Sequence, residues 1–306
     1  MKAWNEDKDL KDTLKAYREY DNQDIKKEME EFGLTSELSF KPDMSILNNF
    51  NLWAYSYEKT KENMQKLFPG YDMRYFYKLN SSQLRCDEFT TEHDGKHVVF
   101  AGCSMTAGEG IPENKLWTKK LYNRLSQDHK MSGYFNIAFP GATIMEVVIQ
   151  IFKYIKLYGN PEILFVNLPD IDREYVNISS TNIKEVDRNP IDNVKVSKVN
   201  YLSIGMYMSL VEYCRSNGIK LYAYSWSTKE MSQRFIHFEL DPRDYFDNFH
   251  VFTGEDIWKH SHAYTEAHKQ DIWEKYYFQA LDESHAGVAL QDFFYHFIYN
   301  IYISDN

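Results

Sequence analysis

The sequence predicts a three-layer α/β/α fold built on a central parallel sheet over residues 91–306, preceded by a helical N-terminal extension over 1–90. Three observations carry this. Short apolar runs rich in β-formers recur at HVVFAG (97–102), YFNIAF (134–139), EILFVNL (162–168) and IKLYAYSW (219–226). Segments with apolar residues at helical spacing lie between them. The runs are continuous rather than alternating, as expected of strands buried on both faces by crossover helices.

Taken in order, the extension opens with a charged helix over 7–31, whose sparse apolar positions are Leu10, Leu14, Tyr17 and Ile25. Its weak amphipathicity suits a solvated face, or docking on the main domain or on another copy of the chain. An irregular connection around Pro42 leads to a second helix over 46–67, stopped before Pro69-Gly70. Beyond residue 90, helices are expected over 114–125, 144–158, 195–217 and 288–303, with Gly218 in the position of a helix stop. The inserts 172–199 and 227–265 are expected to form the rim of a pocket. In such sheets ligands bind at the carboxyl ends of strands, near a switch point in strand order.

Composition narrows the function classes. A chain of 306 residues with 43% hydrophobic residues can bury a substantial core. A net charge of −10, from 45 acidic and 35 basic residues, disfavours nucleic acid and anionic membrane surfaces as partners. No apolar run is long enough to span a bilayer, and the start MKAWNEDKDLKDTLK has no apolar leader core, so a cytoplasmic protein is expected. Cys86, Cys103 and Cys214 are odd in number and lack zinc-motif spacing, consistent with a reducing compartment. Aromatics reach 16%, which an aromatic-rich core accounts for more simply than sugar stacking does.

The segment with most chemistry in it is Gly102-Cys103-Ser104-Met105-Thr106-Ala107-Gly108-Glu109-Gly110, directly after the first strand. Ser104 stands at the turn into a helix, where free backbone N–H groups can meet developing negative charge. Thr106 occupies the position where an α/β-hydrolase nucleophile elbow needs glycine, and no Gly-Lys-Ser/Thr follows as in a phosphate-binding loop. A serine nucleophile needs a base, and the base an orienting acid. In Leu281-Asp282-Glu283-Ser284-His285-Ala286-Gly287, Asp282 can turn back to accept from the ring of His285.

Together these segments resemble the SGNH hydrolases, the GDSL-like esterase/lipase family. GCSMTAGEGIPENKLWTKKL is similar to the family's nucleophile block, NIAFPGAT to its second block and DESHAG to its final Asp-x-x-His block. YKLNSSQLRCDEF resembles the lead-in of one branch, and the likeness spans about residues 78–303. The resemblance implies a flavodoxin-like SGNH fold and a serine esterase without cofactor or metal. It makes Ser104 the nucleophile, His285 the base and Asp282 the acid, with the N–H groups of Ser104 and Gly141 holding the oxyanion. Its substrates would be small-molecule or carbohydrate esters, often acetyl groups.

Two positions depart from the family pattern. Cys103 replaces the usual Asp before the serine. The third block, expected as Gly-x-Asn-Asp, reads Asn167-Leu168-Pro169-Asp170-Ile171-Asp172-Arg173. Asn167 falls early, inside the expected strand, while Asp170 or Asp172 falls nearer the block position. Asp170 and Arg173 are therefore candidates for substrate contact. The altered block also favours a second reading, a weakened SGNH domain that binds carbohydrate or serves in assembly. His260, His262, His268 and Glu266 could ligate a metal, although exposure on a polar helix explains them as well.

Overall fold

In a computed structural model, the described residues are 50–67, 76–82, 84–169, 193–225, 249–251, 279–283, 285 and 287–304. The order of elements is α1 (Phe50–Leu67), β1 (Val98–Ala101), α2 (Ser104–Ala107), α3 (Trp117–Asp128), β2 (Phe135–Asn136), α4 (Ile144–Tyr158), β3 (Ile163–Leu168), α5 (Asn193–Ser216), β4 (Lys220–Ser225), β5 (Phe249–Val251) and α6 (Val288–Ser304). The five strands form one sheet in the order β2-β1-β3-β4-β5, and every pairing is parallel. This is the doubly wound order with its switch point between β1 and β3.

The strands alternate their side chains between two cores, as a period of two requires. Val99, Ala101, Leu164, Val166 and Leu168 pack against Ile144, Val148 and Ile151 of α4 and Tyr207 and Leu210 of α5. Val98, Phe100, Ile163 and Phe165 point the other way, onto Trp117 and Leu121 of α3 and Leu290, Phe294 and Ile298 of α6. The i, i+4 spacing of Trp117, Leu121 and Leu125, and of Leu290, Phe294 and Ile298, puts each set on one helix face. Trp117 packs α3 onto the sheet, as its ring meets Phe100 edge-on at 5.6 Å. Phe100 in turn stacks on Phe165 at 5.4 Å.

Local signals set the element ends. Thr143 and Glu146 form a capping box at the start of α4: the Glu146 N–H donates to Thr143 Oγ1 at 3.2 Å and the Thr143 N–H to Glu146 Oε2 at 2.9 Å. Gly218, left-handed at φ +69°, follows α5 as the sequence predicts. Two expectations need correction. The helix expected from 114 begins at Trp117, because Glu113–Lys115 makes a 3-10 turn and Leu116 is extended. The insert 227–265 supplies β5 to the sheet, in register Ala223↔Phe249, and so is not rim throughout.

Part of the stretch assigned to the N-terminal extension packs against the site region. Met64 of α1 clusters with Phe76, Tyr77 and Leu281, and Asn63 Nδ2 donates to the Leu281 carbonyl at 2.7 Å. Leu84 lies in the α4/α5 core. The expected helix over 7–31 and the N-terminal part of the second helix lie outside the described residues.

Candidate active site

β1 runs into Gly102 and Cys103, and Ser104 is the first residue of the four-residue helix α2. A helix start leaves the N–H groups of its first residues without intrahelical acceptors, so those of Ser104 and Met105 are available to another acceptor. Ser104 is 4% exposed and Cys103 fully buried, so the neighbouring thiol is a small apolar filler.

Neighbouring segments hold this turn from several sides. Asn136 of β2 donates through Nδ2 to the Thr106 carbonyl at 2.9 Å. Gln291 of α6 donates through Nε2 to the Met105 carbonyl at 3.1 Å and accepts from the Trp117 N–H at 3.0 Å. Arg85, from the lead-in segment, is 1% exposed. Its Nη1 donates to the carbonyls of Gly108 at 2.5 Å and Ile111 at 3.0 Å, and its Nη2 to that of Phe76 at 3.0 Å. The guanidinium carbon sits 4.8 Å from the centre of the Tyr77 ring. Arg85 thus ties the turn after α2 to the Phe76 segment, a task for its planar fork of donors.

Gly108 and Gly110 are both left-handed, at φ +82° and +68°. A Cβ on Gly108 would meet Leu116 Cδ2 at 2.1 Å, and one on Gly110 would meet Asp282 N at 2.8 Å. Gly108 lets the turn after Ser104 pack under Leu116, and Gly110 lets it close onto the Asp282 loop. The join is direct, since the Leu281 N–H donates to the Gly110 carbonyl at 3.0 Å.

In that loop Asp282 is 1% exposed and Oδ2 lies 2.5 Å from Nδ1 of His285. Its Oδ1 accepts the backbone N–H of His285 at 3.2 Å. The ring is therefore fixed by one carboxylate gripping both its own backbone and Nδ1. On the opposite edge, Nε2 of His285 lies 3.4 Å from Oε2 of Glu109, a side chain only 6% exposed. Glu109 also donates its backbone N–H to the Ser104 carbonyl at 3.2 Å. Neither Glu109 nor Arg85 belongs to a motif that marks it in the sequence; the flanking Gly108 and Gly110 are a local cue for Glu109 alone.

Gly141 lies in the turn after β2, at φ +72° and half-buried. That segment reaches the turn bearing Ser104 through the Phe139 N–H, which donates to the Gly102 carbonyl at 3.3 Å. Asn167 is inside β3, paired in register with Tyr224, and is fully buried. Among the described residues neither atom of its side-chain amide has a hydrogen-bond partner, and the same holds for Thr106 Oγ1. Asp170, Arg173 and the histidine cluster at 260–268 lie outside the described residues. Among the described residues no group of three or more His, Cys, Asp or Glu side chains is arranged to hold a metal ion. No described helix is long and apolar enough to cross a membrane.

Fold and site together define a doubly wound α/β protein with a buried carboxylate–histidine pair beside the turn that follows its first strand. No family model and no curated protein matches the sequence. Among solved structures the chain is similar to the psychrotrophic esterase EstA from Pseudoalteromonas sp., in a structure inhibited by monoethylphosphonate. The two share 13% identity, with 68% of this chain and 96% of the esterase covered, at a TM-score of 0.43.

Proposed function

We propose that the chain is a serine ester hydrolase acting by acyl transfer, of the SGNH type, with Ser104, His285 and Asp282 as its triad. The observation that carries this reading is the 2.5 Å contact between Asp282 Oδ2 and His285 Nδ1, on a loop bonded to the turn that bears Ser104. A buried acid on Nδ1 selects the tautomer with its lone pair on Nε2 and stabilises the imidazolium that forms later. In this mechanism Ser104 Oγ attacks the acyl carbon and His285 takes the hydroxyl proton. The N–H groups of Ser104 and Gly141 receive the oxyanion. The imidazolium then protonates the leaving alcohol, and water attacks the acyl-enzyme by the same route.

The acidic surface charge and the family resemblance favour a neutral ester, such as an acetylated carbohydrate, as substrate. Asp170 and Arg173 are the proposed substrate-contacting residues after the third strand. Labelling by a fluorophosphonate probe tests the assignment: wild type should label and Ser104→Ala should not. A panel of acyl esters and acetylated glycans then identifies the acyl group. A chain that neither labels nor hydrolyses any of them is instead a binding domain on a hydrolase scaffold.

A further inference from the structure

Asp282 accounts for one edge of the His285 ring, but the other edge faces a second carboxylate. Glu109 lies in the turn that closes α2, its N–H bonded to the Ser104 carbonyl at 3.2 Å. Its Oε2 stands 3.4 Å from His285 Nε2, while Asp282 Oδ2 stands 2.5 Å from Nδ1. An ionised carboxylate only accepts hydrogen bonds, and a neutral imidazole has only one N–H to give. With both carboxylates ionised, a proton on each ring nitrogen, which is the imidazolium, is the form that the two contacts favour. The same nitrogen, Nε2, is the one that must be unprotonated to take the Ser104 proton.

We propose that Glu109 is a positioning residue of this site: it holds His285 from the Nε2 side, keeps it protonated at rest, and sets the pH above which Ser104 has a base. The proposal rests on the triad reading. Among the described residues, the other charged groups of the neighbouring segments have partners of their own. Glu283 pairs with Lys59 of α1 at 3.5 Å, and the Arg85 guanidinium is directed to the carbonyls of Gly108, Ile111 and Phe76. The two described groups that face the imidazole are thus Asp282, from its own loop, and Glu109, from the turn after α2.

An anion this close favours the charged imidazole by about one pH unit or more. Glu109→Gln removes the anion and can donate to a neutral Nε2, so the His285 midpoint should fall by at least that amount. The acid limb of kcat/KM reports the same group in the free enzyme and should move with it. Near pH 6, fluorophosphonate labelling of Ser104 should then rise up to about tenfold, since each pH unit is a tenfold change in neutral imidazole.

The deciding measurement is a ¹⁵N NMR titration of His285 in the full chain, in a Ser104→Ala background that needs no activity. In the chain with Glu109 intact, both ring nitrogens should be protonated at pH 7, a reading that does not depend on any Glu109 variant folding. Glu109→Asp, which keeps the charge on a shorter stem, should fall between the parent and Glu109→Gln. An unprotonated Nε2 at pH 7, or a midpoint unmoved by Glu109→Gln, overturns the proposal. Labelling of Ser104 with an unmoved midpoint removes Glu109 and leaves the triad. A moved midpoint without any labelling removes the triad and leaves the Glu109–His285 pair.

Discussion

Gly110 and Asp282 are in contact so close that no side chain fits between them: a Cβ on Gly110 would lie 2.8 Å from the Asp282 nitrogen and 2.9 Å from Oδ1. Two loops separated by most of the chain meet here through bare backbone. Gly110→Ala should push the Asp282 loop away from Ser104 and strain a left-handed residue by about 1–3 kcal/mol. Fluorophosphonate labelling should slow by about a hundredfold, the effect of a misplacement near 1 Å. Labelling at the wild-type rate would show that the contact does not position the site.

Asp282→Asn keeps the volume of the side chain but removes the acceptor charge at Nδ1. The amide can present a donor to Nδ1 and so select the wrong tautomer. Turnover should fall by about 10⁴-fold, with the urea midpoint changed far less. Steady-state kinetics beside a denaturation curve separates the two effects.

Arg85→Met should be severe for stability, because the carbonyls of Gly108, Ile111 and Phe76 lose their shared donor within the core. Buried acceptors left bare cost about 1–3 kcal/mol each. A total loss of at least about 3 kcal/mol is expected from urea unfolding. Arg85→Lys should recover only part of it, as a single ammonium cannot span the fork.

Asn167 offers the opposite sign. Among the described residues neither polar atom of its amide has a partner; such an amide in the core destabilises the fold, and an apolar residue of similar shape removes that penalty. Asn167→Leu should raise the urea midpoint while lowering ester turnover, since an unpaired buried amide at the carboxyl end of β3 makes sense as a group kept for the substrate complex. A variant that is less stable and equally active would assign Asn167 to packing alone.

His97 predicts acid lability. Burial holds its imidazole down to about 4, and the neighbouring His93, stacked at 3.6 Å, adds to the effect. The unfolded chain takes up a proton near pH 6.5 that the folded chain refuses until about pH 4. Stability from this group is therefore complete above pH 6.5 and is lost as pH falls toward 4, with a slope of up to about 1.4 kcal/mol per unit. His97→Gln, which can still bond the Tyr154 hydroxyl, should flatten that slope in urea titrations at pH 7, 6 and 5.

The sheet was legible where its strands are long apolar runs, as in EILFVNL, and where small residues follow them. β5 was not, because Phe249-His250-Val251 is three residues within a polar insert and joins the sheet only through β4. The pairing of Asp282 with His285 could be read because i, i+3 spacing on a loop is local. The placements of Glu109 and Arg85 could not, since both depend on segments distant in sequence closing around them. Placing Asn167 inside the strand, by contrast, followed from the regularity of the run 163–168.

The amide of Gln291 reaches across 186 positions to the Met105 carbonyl and across 174 to the Trp117 N–H. During synthesis, residues 97–128 emerge from the ribosome long before the side chain that completes their hydrogen bonding. At roughly 5–20 residues per second the gap is on the order of ten seconds or more. Until Gln291 arrives, the turn bearing Ser104 lacks both the Asp282 loop and the amide that bonds it from α6. A nascent chain therefore cannot assemble this site until α6 docks.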